Sequence, residues 1–111
     1  MSFDTVNFIS DLVRIPSVSA NSSNANDVAK CAEVMCNKLS ELGFESKLIN
    51  TSLHPIVFAK RDCASSKAKF RVLCYGHYDV QPPEPLEKWS TKPFEPIVKD
   101  GRIWGRVFSP L

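Results

Sequence analysis

Apolar positions along the first 42 residues recur at helical spacing. Val6, Ile9, Leu12 and Val13 form one stripe and predict a first helix. Ser2 is placed to cap it, and Asp4 falls in its first turn, where the helix dipole favours a negative charge. Pro16 ends it, because a residue before proline avoids the helical region. The polar stretch "SVSANSSNAN" reads as a loop. A second stripe of Val28, Ala32, Met35, Leu39 and Leu42 predicts a helix from near Asn24 to near Leu42. Lys30, Glu33, Lys38 and Glu41 sit off that face, and Gly43 suits the C-terminal stop.

The period then changes. "FESKLIN" alternates weakly, "PIVFAK" is a short apolar run, and "KFRVLCYG" is nearly continuous. All three read as strands. The last, apolar on both faces, suits the middle of a sheet covered on both sides. Helices followed by such strands predict an α/β fold, with a mixed, mostly parallel sheet flanked by helices. "CASSKAK" is a polar turn between the last two. "FEPIVKDGRIWG" reads as a hairpin around Asp100 and Gly101, the residue pair that a type I′ turn prefers. Trp89, Phe94 and Trp104 are expected to pack over a sheet rather than to form a binding surface.

Composition narrows the function classes. The 111 residues suit one small domain, and 43% apolar residues suffice for a core. A net charge of +2 points to no nucleic-acid or membrane partner. The basic cluster Lys60, Arg61, Lys67, Lys69 and Arg71 lacks interleaved aromatic residues for base stacking and reads as a solvated loop and strand entry. No apolar run is long enough to cross a bilayer, and "MSFDTVNFIS" lacks the features of a secretory signal. Cys31, Cys36, Cys63 and Cys74 contain no Cys-x-x-Cys pair, so packed, reduced thiols in a cytoplasmic protein are expected.

The chemistry concentrates at "YGHYDVQPP". His77 follows the end of the longest apolar run, and ligands of α/β sheets gather beyond the carboxyl ends of strands. A metal-binding imidazole must present the correct nitrogen, and a carboxylate on the other nitrogen fixes that choice. Asp79 is close enough in sequence to do so. A lone histidine is more often a hydrogen-bonded polar residue than a ligand, and His-x-Asp alone is a weak motif. His54, beside Pro55, reads as a loop residue.

A longer series of motifs changes the weighing. "VLCYGHYDVQP" followed by "WSTKPFEPIVKDGRIWGR" resembles the di-zinc metallopeptidases of the aminoacylase and carnosinase type. "RIPSVSA", "ELGFESKLI" and "HPIVFAKRD" match the earlier steps of that family, so the resemblance spans residues 3 to 106. The loop from Gln81 to Pro83 and Trp89 looks most like the cytosolic dipeptidase branch. The resemblance implies the N-terminal part of a three-layer catalytic domain over residues 1–106. It implies His77 as a zinc ligand, with Asp79 as its orienting catalytic partner. It also implies two zinc ions, with manganese as the alternative, and hydrolysis of a dipeptide or other short peptide. Homodimerisation is implied only for a full-length form. In the family, glycine and then a bridging aspartate follow Gly-Arg, and here Val107, Phe108, Ser109, Pro110 and Leu111 follow instead. Residues 107–111 are therefore expected to be a divergent tail on a truncated chain. With most ligands and the general base absent, the expectation is an inactive chain or a small interaction module.

Overall fold

Helix α1 spans Thr5–Val13, and Asp4 caps it by accepting a hydrogen bond from the Asn7 amide at 3.0 Å. A computed structural model describes residues 4–106 of the chain, so the expected cap Ser2 and the tail 107–111 lie outside the described residues. Leu12 and Val13 are buried, whereas Val6, at the start of the stripe, is exposed. Helix α2 spans Ala25–Glu41 and buries Val28, Cys31 and Ala32. Gly43 closes it at φ 87°, with the Phe44 amide donating to Leu39 O and the Gly43 amide to Ser40 O, both at 3.0 Å. That paired closure needs a left-handed residue, which glycine adopts without a Cβ clash.

Strands β1 (Glu45–Ile49) and β2 (Ile56–Lys60) form an antiparallel pair, with Lys47 opposite Phe58. Helix α2 packs on this pair. Strands β3 (Ile97–Lys99) and β4 (Arg102–Trp104) form a second antiparallel pair. Asp100 and Gly101 join them at φ 54° and 70°, as a type I′ turn requires. Val18 and Val80, outside both pairs, make an isolated parallel bridge.

The α/β class is as expected from the sequence. The strand expected over residues 69–76 is not formed, and both sheets present are antiparallel pairs. Phe70, Val72, Leu73 and Tyr75 are all more than four-fifths exposed. A strand apolar on both faces needs partners on both edges and a layer on each face. The described residues place neither against it. Cys74 is exposed for the same reason, Cys63 is exposed in the polar segment before it, and of the four cysteines only Cys31 is buried. Trp89 and Phe94 are half-buried, and Trp104 remains 41% exposed. Among the described residues no helix is long and apolar enough to cross a membrane.

Candidate functional site

Two sequence-distant loops meet at the site. The Val80 amide donates to Ser17 O at 3.0 Å, joining the loop after α1 to the segment 77–80. The Ser17 hydroxyl donates to Tyr78 O at 3.1 Å, and the Cys31 thiol reaches the same carbonyl at 3.6 Å. The Tyr78 hydroxyl donates to Pro55 O at 2.5 Å. The backbone around Asp79 is therefore held from three elements. Ser17, Cys31 and Val80 are buried, so these bonds work where water does not compete.

His77 and Asp79 meet on this base. The His77 Nδ1 lies 2.9 Å from Asp79 Oδ1 and 3.0 Å from Asp79 O. Both partners are acceptors once the carboxyl is ionised, so Nδ1 carries the proton and donates to them. The basic lone pair of the neutral ring then sits on Nε2. The other carboxylate oxygen, Oδ2, accepts from the Ser19 hydroxyl at 2.6 Å. That bond first, and the His77 ring after it, hold the Asp79 carboxyl below its usual range, against the opposing effect of partial burial. The side chains of His77 and Asp79 are 54% and 40% exposed, so solvent screens their charge attraction, and the hydrogen-bond geometry sets the pair.

Burial pushes the Cys31 thiol up, with a smaller upward push from the Asp79 charge, while a hydrogen bond with Ser17 opposes both. Burial also pushes the Tyr78 phenol up. His54, read from sequence as a loop residue, places Nε2 3.2 Å from Ser19 O.

The loop after the site is fixed separately. Arg106 donates from Nε to Gln81 O at 3.0 Å and from Nη2 to Pro82 O at 2.7 Å. Its guanidinium lies 5.8 Å from the centre of the Trp89 ring, and Trp89 Nε1 donates to Pro83 O at 2.7 Å. The loop thus has its carbonyls satisfied by one arginine and one indole. Gly105 explains how Arg106 gets there. A Cβ at Gly105 would lie 2.6 Å from Val13 Cγ1 and 3.2 Å from Pro93 O, so only glycine permits this approach to α1.

The sequence pointed to His77 and Asp79 but not to Ser17, Ser19 or Cys31. Serines in a polar loop carry no periodic signal. The one hint was "RIPSVSA", whose place in the motif series had no chemistry attached.

A catalytic zinc site draws on three protein ligands. His77, oriented by Asp79, fits as one donor. Among the described residues no group of three His, Cys, Asp or Glu side chains is arranged to hold a metal ion. The residues present therefore fit part of such a site.

Residues 73–108 match the model of peptidase family M20/M25/M40. A succinyl-diaminopimelate desuccinylase of Methylococcus capsulatus is 32% identical over 103 residues, covering 93% of this chain and 25% of that protein. A Saccharomyces cerevisiae di-peptidase, Dug1p, superposes with a TM-score of 0.78 at 28% identity, covering 91% of this chain and 24% of the other. The M20 family metallo-carboxypeptidase Sso-CP2 of Sulfolobus solfataricus gives 0.78 at 29% identity, covering 94% and 23%. The chain thus spans about a fifth to a quarter of the relatives it matches. Its motif series, its fold over nine-tenths of its length and these likenesses agree, and what the chain resembles is the first quarter of the proteins of peptidase family M20/M25/M40.

Proposed function

We propose that these residues are the opening part of a metal-dependent hydrolase that cleaves the peptide bond of dipeptides and similar short substrates. The carrying observation is the 2.9 Å bond from His77 Nδ1 to Asp79 Oδ1, within a stretch that matches a peptidase family. With Nδ1 committed to the carboxylate, Nε2 is the nitrogen through which His77 holds a metal. Zinc is the metal proposed, with manganese as the alternative, since imidazole and carboxylate donors suit both. Such a metal supplies Lewis-acid polarisation of a carbonyl and a water activated at neutral pH. Asp79 fixes the tautomer of His77, and the bonds from Ser17 and Cys31 hold the backbone that carries both.

In this reading residues 1–106 belong to one catalytic domain, and the further ligands and the general base come from the part of the family fold beyond the matched quarter. The dipeptidase assignment has its support in the Dug1p likeness and in the loop from Gln81 to Pro83. Homodimerisation is proposed only for a full-length form. Four free thiols suit a reducing compartment, so the cytoplasm is the proposed location. A second reading, a non-catalytic α/β module, is favoured by the single-donor character of the described site.

The experiment is isolation of the native protein with an antibody against residues 20–60, followed by intact mass and a dipeptide-hydrolysis assay. A species well above 12.4 kDa whose hydrolysis stops on chelation and returns with zinc supports the hydrolase reading. Hydrolysis that survives chelation, or that survives His77→Ala in the same species, refutes it. A 12.4 kDa species with no hydrolysis supports the module.

A further inference from the structure

The Asp79 carboxylate has two oxygens with different work. Oδ1 accepts from His77 Nδ1 at 2.9 Å, and Oδ2 accepts from Ser19 Oγ at 2.6 Å. An aspartate side chain with one anchored oxygen cannot rotate without breaking a bond. Ser19 is itself held. Its carbonyl lies 3.2 Å from His54 Nε2, and the preceding residue, Val18, is 2% exposed and bridged to Val80. The anchoring hydroxyl therefore sits on fixed backbone 60 residues away in the chain.

We propose that Ser19 is a positioning residue for the His77–Asp79 pair: its hydroxyl locks the Asp79 carboxylate plane and thereby keeps the His77 proton on Nδ1. The inference rests on the reading of His77 as a metal ligand for its purpose, but its geometry stands independently of any metal. The Ser19 hydroxyl bonds Asp79 Oδ2, so its effect on His77 is exerted through Asp79. A free carboxylate samples a broad range about its terminal torsion. In Ser19→Ala that range opens, and the time Oδ1 spends facing Nδ1 falls. The neutral ring, left with Asp79 O at 3.0 Å as its steady acceptor, then redistributes part of its proton toward Nε2, which blocks that nitrogen as a metal donor.

The test uses the 111-residue chain labelled with 15N at histidine, at a pH where the ring is neutral. Imidazole nitrogen shifts report the tautomer of His77 directly. Wild type is expected as the Nδ1–H form. Ser19→Ala is expected to lower the ratio of Nδ1–H to Nε2–H by about fivefold, the size of one ordinary hydrogen bond. Ser19→Thr, which keeps the hydroxyl, is expected to restore it. A merely structural role would change amide shifts broadly and leave the tautomer alone. An Nε2–H form in wild type overturns the inference whether or not the alanine variant folds. So does an unchanged ratio in a folded Ser19→Ala. Adding zinc chloride separates the two readings. If the variant shifts the tautomer but zinc never moves His77 Nε2, the positioning role stands and the metal reading fails. If zinc moves Nε2 while the tautomer ratio ignores Ser19, the metal reading stands and this inference fails.

Discussion

Gly105→Ala is the sharpest probe of how the second hairpin seats on the first helix. The added methyl would lie 2.6 Å from Val13 Cγ1. Carbon atoms pack best at about 3.5–4.0 Å, so one side must retreat by roughly 1 Å. Val13 cannot rotate away easily, because a β-branched residue in a helix has one strongly preferred rotamer and this one is 3% exposed. Retreat on the other side is resisted too. Pro93 O lies 3.2 Å from the new methyl and accepts from the Arg106 amide at 2.6 Å. Overpacking of this kind costs about 1–3 kcal/mol. With a urea slope of about 1–3 kcal/mol per molar, a loss near 2 kcal/mol lowers the midpoint by roughly 1 M. The assay is urea unfolding followed by the fluorescence of Trp89, which sits against Arg106. The decisive control is Val13→Ala, alone and combined with Gly105→Ala. Removing the obstructing methyl should make the double variant at least about 0.5 kcal/mol more stable than the sum of the singles predicts. Strict additivity, or a Gly105→Ala loss below about 0.5 kcal/mol, would refute the steric account.

Other expectations follow from single features. Gly43→Ala should lower stability by about 1 kcal/mol in thermal melts followed by circular dichroism, because Gly43 holds φ 87°, and Gly43→Asn should recover part of the loss. In thiol labelling with mass mapping, Cys63 and Cys74 should react first and Cys31 last, since Cys31 is buried and its thiol is pushed up; early labelling of Cys31 contradicts the packing. The same shift sets a pH dependence. A raised folded value contributes stability that is fully present below about pH 8.5, the ordinary thiol value, and is lost as pH rises through the folded value, so Cys31→Ser should flatten the alkaline decline in urea midpoint. Val72→Lys with Leu73→Glu should reduce light scattering at high protein concentration without shifting the unfolding midpoint, because both side chains are more than four-fifths exposed.

Much of the local structure was legible in the sequence. The C-terminal bound of α2 follows from Gly43, because a left-handed stop is local chemistry, whereas Asn24 precedes the helix without a side-chain capping bond. The β3–β4 turn follows from Asp100 and Gly101 for the same reason. Residues 69–76 show the opposite case. Their composition favours a strand, but a strand exists only through its partners, and those are not contained in the segment's own sequence. The N-cap moved from Ser2 to Asp4, two residues that both have the necessary oxygen. Of the site, the His77–Asp79 spacing was visible because it is local. The anchoring by Ser17 and Ser19 was not, because it depends on a parallel meeting of Val18 and Val80 that no periodicity encodes.

That meeting has a consequence for how the chain acquires its site. The helices and both hairpins close over short sequence distances and can form early. The bonds from Ser17 to Tyr78 and from Ser19 to Asp79 close loops of 61 and 60 residues. Their entropic cost grows only slowly with loop length, by about 0.6 kcal/mol per doubling, yet it must be met before these contacts stabilise anything. The His77–Asp79 pair is thus expected to be made locally and aligned late, after α1, α2 and the first hairpin are in place. The Val80 amide, bonded to Ser17 O, is the natural reporter of that last step. Its hydrogen exchange would time the assembly of the site apart from the folding of the elements that carry it.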